Sequence, residues 1–131
     1  KITLNIYGGK MEKVLLDTNF LLVPFQFKVD LYEDIQKFGK PMTLDSCIRE
    51  LETLARRKTK SGLCAKAALI LLRVKNLKIE KSPYSSDTAV IEYSNTHSCA
   101  VATNDRKLIK RLKSNGIRII RLRQKRLLVE E

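Results

Sequence analysis

Four carboxylates hold the positions in this chain from which chemistry can be done. Asp17 directly follows the short apolar run Val14-Leu15-Leu16, and Asp105 closes the polar triplet Thr103-Asn104-Asp105 that follows Cys99-Ala100-Val101-Ala102. Glu50 lies about one turn into a helical stretch after Pro41-Met42-Thr43-Leu44, and Asp87 opens a helical stretch after Leu77-Lys78-Ile79. If the apolar runs are parallel strands, their C-terminal ends share one edge of a sheet, and all four side chains can converge there. Carboxylates brought together repel one another unless protons or cations neutralise them. Hard divalent ions such as Mg²⁺ prefer oxygen ligands and keep some of their waters, so an all-carboxylate set suits them. The competing reading is local: each acid caps or borders its own helix, where the helix dipole favours negative charge.

The elements that would position these acids are legible from pattern. Val14–Leu16 reads as a buried parallel strand, with Thr18 or Asn19 capping a helix that begins near Phe20. Helical spacing runs to Phe38, with Pro24 near its start and a new turn at Asp30; Gly39 is expected to end it through its left-handed preference, and Pro41 blocks continuation. Pro41–Leu44 reads as a second strand. Asp45-Ser46 caps the next helix, in which Ile48, Leu51, Leu54 and Ala55 share a face. Arg56-Arg57-Lys58-Thr59-Lys60 and Ser61-Gly62 break that helix, and Cys64, Ala65, Ala68, Leu69 and Leu72 form the stripe of another. Leu77–Ile79 alternates as a small edge strand, and Ser85 or Ser86 caps a helix from Asp87 to about Thr96. Cys99–Ala102 is a strong strand, Leu108, Ile109 and Leu112 mark a helix ended by Asn115-Gly116, and Ile117–Leu122 is a last strand before the basic Arg123–Arg126. This alternation predicts an α/β fold of three layers, α/β/α, around a mostly parallel sheet of about five strands. Residues 1–10 read as an extension or an extra strand through Ile2–Ile6, residues 11–126 as the domain, and residues 127–131 as a tail.

Composition narrows the partners. The 131 residues carry 26 Lys and Arg against 14 Asp and Glu, a net charge of +12. On one small domain this favours a polyanion, nucleic acid before an anionic membrane surface. The excess is uneven: residues 104–126 hold ten Lys or Arg and only Asp105 as an acid, and Arg56–Lys60 is a second cluster. No apolar run is long enough to cross a membrane, and a secretory signal pattern is absent, so a cytoplasmic protein without membrane contact is expected. Cys47, Cys64 and Cys99 are odd in number and widely spaced, which suits buried thiols better than a zinc site or disulfides. His97, the single histidine, reads as a helix-end residue. An acid-lined pocket within so basic a domain suits a metal-assisted reaction on phosphodiesters.

From Met11 to about Arg126 the chain resembles the PIN domain, a small nuclease fold. The likeness is strongest in Val14–Leu22, around Asp17-Thr18-Asn19, and in Val101–Leu108, around Thr103-Asn104-Asp105. Ser46–Leu51 and Ser86–Ile91 are less distinctive parts of it, and Ile119–Lys125 looks like archaeal members related to ribosomal-RNA-processing nucleases and VapC-type toxins. The resemblance implies that Asp17, Glu50, Asp87 and Asp105 bind Mg²⁺ or Mn²⁺ for RNA hydrolysis, leaving 5′-phosphate and 3′-hydroxyl ends. It implies that Asn19 and Thr103 orient ligands or a water in the pocket. It also admits a homodimer, an antitoxin or a ribosome-assembly factor as partner. Many relatives of this branch carry two adjacent acids where this chain has Asp87-Thr88, which puts one metal position in question.

On this reading Arg56, Arg57, Lys58, Lys60, Arg106, Lys107, Lys110 and Arg111 bind RNA phosphates without reading sequence. The alternative is an RNA-binding or assembly module that keeps the pocket but scarcely cleaves. A receiver-like domain phosphorylated on aspartate also places acids at strand ends. It would need paired acids at the first strand and a lysine near the last, and this chain shows no such pair.

Overall fold

The computed structural model describes residues 12–124 and 127–131. The proposed strand through Ile2–Ile6 lies outside the described residues. In chain order the elements are β1 (Lys13–Leu16), α1 (Thr18–Phe27), α2 (Tyr32–Gln36), β2 (Lys40–Leu44), α3 (Asp45–Ala55) and α4 (Lys60–Val74), followed by β3 (Lys78–Glu80), α5 (Ser86–His97), β4 (Ala100–Ala102), α6 (Arg106–Ser114), β5 (Ile119–Arg123) and β6 (Leu127–Glu130).

The sheet has six strands in the order β3-β2-β1-β4-β5-β6. β1 to β5 are mutually parallel, and β6 closes the sheet antiparallel to β5. The expected three-layer α/β/α architecture is therefore present, with one strand more than expected. Val14, Leu15, Val101, Ala100 and Ala102 are at most 1% exposed, as short central strands must be when helices cover both faces. From β1 the chain runs outward through β2 to β3, then returns to the far side of β1 with β4. The C-terminal ends of β1 and β4 thus border the switch point where open α/β sheets form a crevice. Val14, Leu15 and Leu16 pair with Ala100, Val101 and Ala102 in register, which brings the two strongest sequence corners side by side.

Several expectations are corrected. The helical stretch after Asp17 splits: α1 ends at Phe27 with Lys28 in the left-handed region, and α2 starts only at Tyr32. Gly39 does not use a left-handed conformation; a Cβ there would stand 2.3 Å from the Glu12 carbonyl oxygen, so glycine is required by close approach. Gly116 alone among the described glycines has positive φ, as its place after α6 demands. Ser61 and Gly62 do not break a helix but sit in the first turn of α4, which Thr59 caps through the Gly62 N–H at 3.0 Å.

Leu127–Glu130, expected as a tail, form β6, pairing Arg121 with Val129 and Leu122 with Leu128. Acids at this end hold bases on the neighbouring elements. Arg118 pairs with Glu12 and, at 2.6 Å, with Glu130, while Glu131 meets Lys113 at 2.9 Å and Arg121 at 3.0 Å. His97 ends α5 and stacks on Tyr93 with ring centroids 3.9 Å apart, and all three cysteines are free thiols. Among the described residues no helix is long and apolar enough to cross a membrane.

Candidate active site

Asp17 leaves β1 with extended backbone and is itself the N-cap of α1, in place of Thr18 or Asn19. Its Oδ1 accepts from the Phe20 N–H at 2.8 Å, and its Oδ2 accepts from the Thr103 hydroxyl at 2.6 Å. Thr103 is fully buried, and its Oγ1 also accepts from the Asp105 N–H at 3.1 Å. Thr103 therefore does not line the cleft, as expected of a ligand-orienting residue. It stands behind Asp17 and ties the two corners together. Asn104 acts beside it as a side-chain rung of the sheet, donating to the Leu122 carbonyl at 3.2 Å and accepting from the Leu122 N–H at 2.8 Å.

Asp105 caps α6, with Oδ1 accepting from Lys107 at 3.0 Å and Leu108 at 3.2 Å. The capping reading thus holds for Asp17 and Asp105, yet it does not account for where they stand. Asp17, Glu50, Asp87 and Asp105 all line one cleft of about 90 Å³, together with Thr18, Asn19, Cys47, Ser86 and Val90. Four separate elements bring these carboxylates to the same opening. Asn19 lies on the exposed rim of this cleft. Thr18, read only as a cap, donates instead to Glu50 Oε1 at 3.2 Å and braces that acid across the cleft.

The electrostatics follow from crowding. Asp17 is only 6% exposed, and burial, assisted by the charges of Asp105 and Asp87, pushes its carboxyl from 3.8 up to about 7. The bonds from Thr103 and Phe20 oppose that rise without cancelling it. Burial also raises Glu50, with the hydrogen bond from Thr18 opposing and the charge of Asp87 adding to the rise. The Cys47 thiol on the cleft wall is raised by burial, which keeps it from acting as a thiolate nucleophile. Among the described residues no three such side chains are gathered tightly enough to hold an ion as they stand. In chemistry the donor set fits a hard divalent cation: it consists of oxygens, and Asp17 sits in a repulsive field that positive charge would relieve.

Residues 14–125 match the family model described as PIN like domain. The chain belongs to the PIN-like domain family. Its domain is 32% identical over 123 residues to ribonuclease VapC4 of Methanocaldococcus jannaschii, covering 88% of this chain and 94% of that protein. It is 30% identical over 127 residues to ribonuclease VapC9 of Archaeoglobus fulgidus, covering 94% and 93%. The solved structure of the PIN domain endonuclease Utp24 superposes with a TM-score of 0.73 at 25% identity, over 91% of this chain and 90% of that one. A domain of a functionally unknown Methanocaldococcus jannaschii protein shares the fold, with a TM-score of 0.65 at 19% identity over 86% and 91%.

The basic residues of this PIN domain fall into two groups. Arg56, Arg57 and Lys58 occupy the turn after α3, and Lys60 opens α4. Arg106, Lys107, Lys110 and Arg111 are exposed along α6, starting beside Asp105. None of the eight forms an ion pair with a described residue, whereas Lys113, Arg118 and Arg121 of the same basic run are paired. Arg49 was not legible as a site residue. At four residues from Asp45 it reads as half of a helix-surface ion pair, which it forms at 3.4 Å, but it also faces the open groove beside the acid cleft.

Proposed function

We propose that this chain is a divalent-metal-dependent endoribonuclease acting as a VapC-like toxin or in ribosomal RNA processing. The observation that carries the reading is the meeting of Asp17, Glu50, Asp87 and Asp105 in one cleft at the C-terminal ends of β1 and β4. Both curated relatives are named ribonucleases, which supports RNA as the substrate.

Asp17, Asp105 and Glu50 would hold Mg²⁺ or Mn²⁺, and Asp87 would recruit a second ion or position a water. When bound, such an ion lowers the pKa of a coordinated water and polarises the scissile phosphodiester. Thr103 fixes the rotamer of Asp17 from behind, and Thr18 does the same for Glu50 from the cleft wall. With two bonds already made, Asp17 keeps one lone pair on each oxygen for the cleft. Arg106 and Lys107 begin next to Asp105, and with Lys110, Arg111 and the Arg56–Lys60 cluster they would engage backbone phosphates.

An RNA-binding or assembly module with little cleavage is the second reading. It draws on the absence of a tightly gathered ligand set among the described residues. One experiment separates the two: cleavage of a labelled structured RNA with Mn²⁺, Mg²⁺ or EDTA, by wild type and by folded Asp17→Asn and Asp105→Asn proteins. The nuclease reading expects cleavage that needs metal and disappears in both variants. It also expects Mn²⁺ to raise the melting temperature of wild type and not of Asp17→Asn. RNA binding without cleavage under either ion puts the binding module first.

A further inference from the structure

Beside the acid cleft lies a wider groove of about 410 Å³, walled by α3 and the start of α5. The two are continuous, because Thr18, Glu50 and Ser86 line both. Their charge differs. The cleft presents four carboxylates, whereas the groove adds the guanidinium groups of Arg49 and Arg57.

We propose that this groove seats the sugar-phosphate backbone of the RNA strand on one side of the cleaved bond, with Arg49 and Arg57 binding its phosphates. The inference rests on the nuclease reading for its substrate and extends it to a path. Arg49, Thr53 and Arg57 recur every four residues and so follow one face of α3 into the turn beyond it. From Arg49 to Ala55 the helix advances about 9 Å along its axis, room for two nucleotides or more at about 3.4 Å of rise for each in a stacked strand.

Arg49 is held from behind. Asp45 pairs with Arg49 at 3.4 Å and is itself anchored by the Ser82 N–H at 3.0 Å. At Arg57 the backbone passes close to Gly62, where a Cβ would stand 2.0 Å from the Arg57 carbonyl oxygen, and the Arg57 N–H donates to the Leu54 carbonyl at 3.0 Å. The groove wall also contains an unused polar group: the Ser46 hydroxyl is buried, with no hydrogen-bond partner among the described residues. A buried hydroxyl without a partner is costly unless something arrives to satisfy it. A phosphate or ribose oxygen is such a group. Leu54 and the threonine methyl supply the apolar surface on which a sugar can rest.

The test is binding of a fluorescein-labelled single-stranded RNA in EDTA, where cleavage cannot intervene, followed by anisotropy across a salt series. Arg49→Gln/Arg57→Gln is compared with Arg49→Lys/Arg57→Lys and with Lys66→Gln/Arg73→Gln, which removes two charges from α4 outside the groove. We expect the groove glutamine variant to lose about tenfold in affinity and its salt slope to flatten by roughly 1.4, the release from two phosphates of a single strand. The lysine variant should keep the slope, and the α4 variant should keep the affinity. Equal losses in the groove and α4 variants, or an unchanged slope in the groove variant, overturn the proposal. A cleavage assay with Mn²⁺ keeps the two readings apart. RNA held by the groove but never cut retains the path and removes the nuclease, whereas cutting by the groove variant with wild-type KM retains the nuclease and removes the path.

Discussion

The two corners that look alike in sequence, Asp17-Thr18-Asn19 after β1 and Thr103-Asn104-Asp105 after β4, divide their work in opposite ways. In the first, the acid is buried and the threonine reaches outward to Glu50; in the second, the threonine is buried and the acid stands at the opening. The asparagines differ too, Asn19 on the rim and Asn104 locked onto Leu122. The difference teaches that one corner carries the charge at a cost and the other supplies the scaffold that keeps it in place. A polar triplet after a strand is thus two devices, told apart by which member points into the core.

The largest effect expected from this contrast is pH dependence in metal-free protein. Asp17 titrates near 7 when folded against 3.8 for the free group, so between these values the folded state binds more protons than the unfolded one. Stability should therefore fall as pH rises from about 4 to about 7 and level off above, by a few kcal/mol at most. Asp17→Asn should lack this decline and melt higher than wild type at pH 8 in EDTA, while Asp105→Asn, still a good cap, should follow wild type. Parallel curves for wild type and Asp17→Asn would remove the claim that this acid is held against its own charge.

The threonines give the next contrast. Thr103→Val strips Asp17 of its donor and the Asp105 N–H of its acceptor in a fully buried place, a loss of about 1–3 kcal/mol in urea unfolding. Thr103→Ser should restore most of it. Thr18→Val at the half-buried corner should stay within about 0.5 kcal/mol of wild type. Intermediate is Asn104→Ala, which frees both Leu122 backbone groups and should cost about 1–2 kcal/mol, with hydrogen exchange at Leu122 accelerating while that at Ala102 does not.

Much of the fold could be read because short apolar runs bounded by acids and turn residues report buried parallel strands, and Leu108, Ile109 and Leu112 report one face of α6. The convergence of the four acids was legible for the same reason, since strand ends share an edge. What could not be read depends on contacts distant in sequence. Gly39 is required by the Glu12 carbonyl, and Thr103 turns inward because Asp17 lies across the β1–β4 pair. β6 follows a basic stretch, and only Leu128 in it is buried, so its apolar pattern is too sparse to announce a strand. Arg49 was hidden by its own ion pair with Asp45, which explains the residue locally and conceals the groove it faces.

The ion pairs of Arg118, Lys113 and Arg121 with Glu130 and Glu131 have a consequence beyond fastening β6. They silence Lys113 of α6 with Arg118 and Arg121 at the start of β5, and leave Arg106, Lys107, Lys110 and Arg111 of α6 and the cations of the α3–α4 turn without an ion pair among the described residues. Attraction for anions is correspondingly weaker around those three residues. Glu130 and Glu131 therefore lower the pull of that margin on an approaching polyanion before any contact forms.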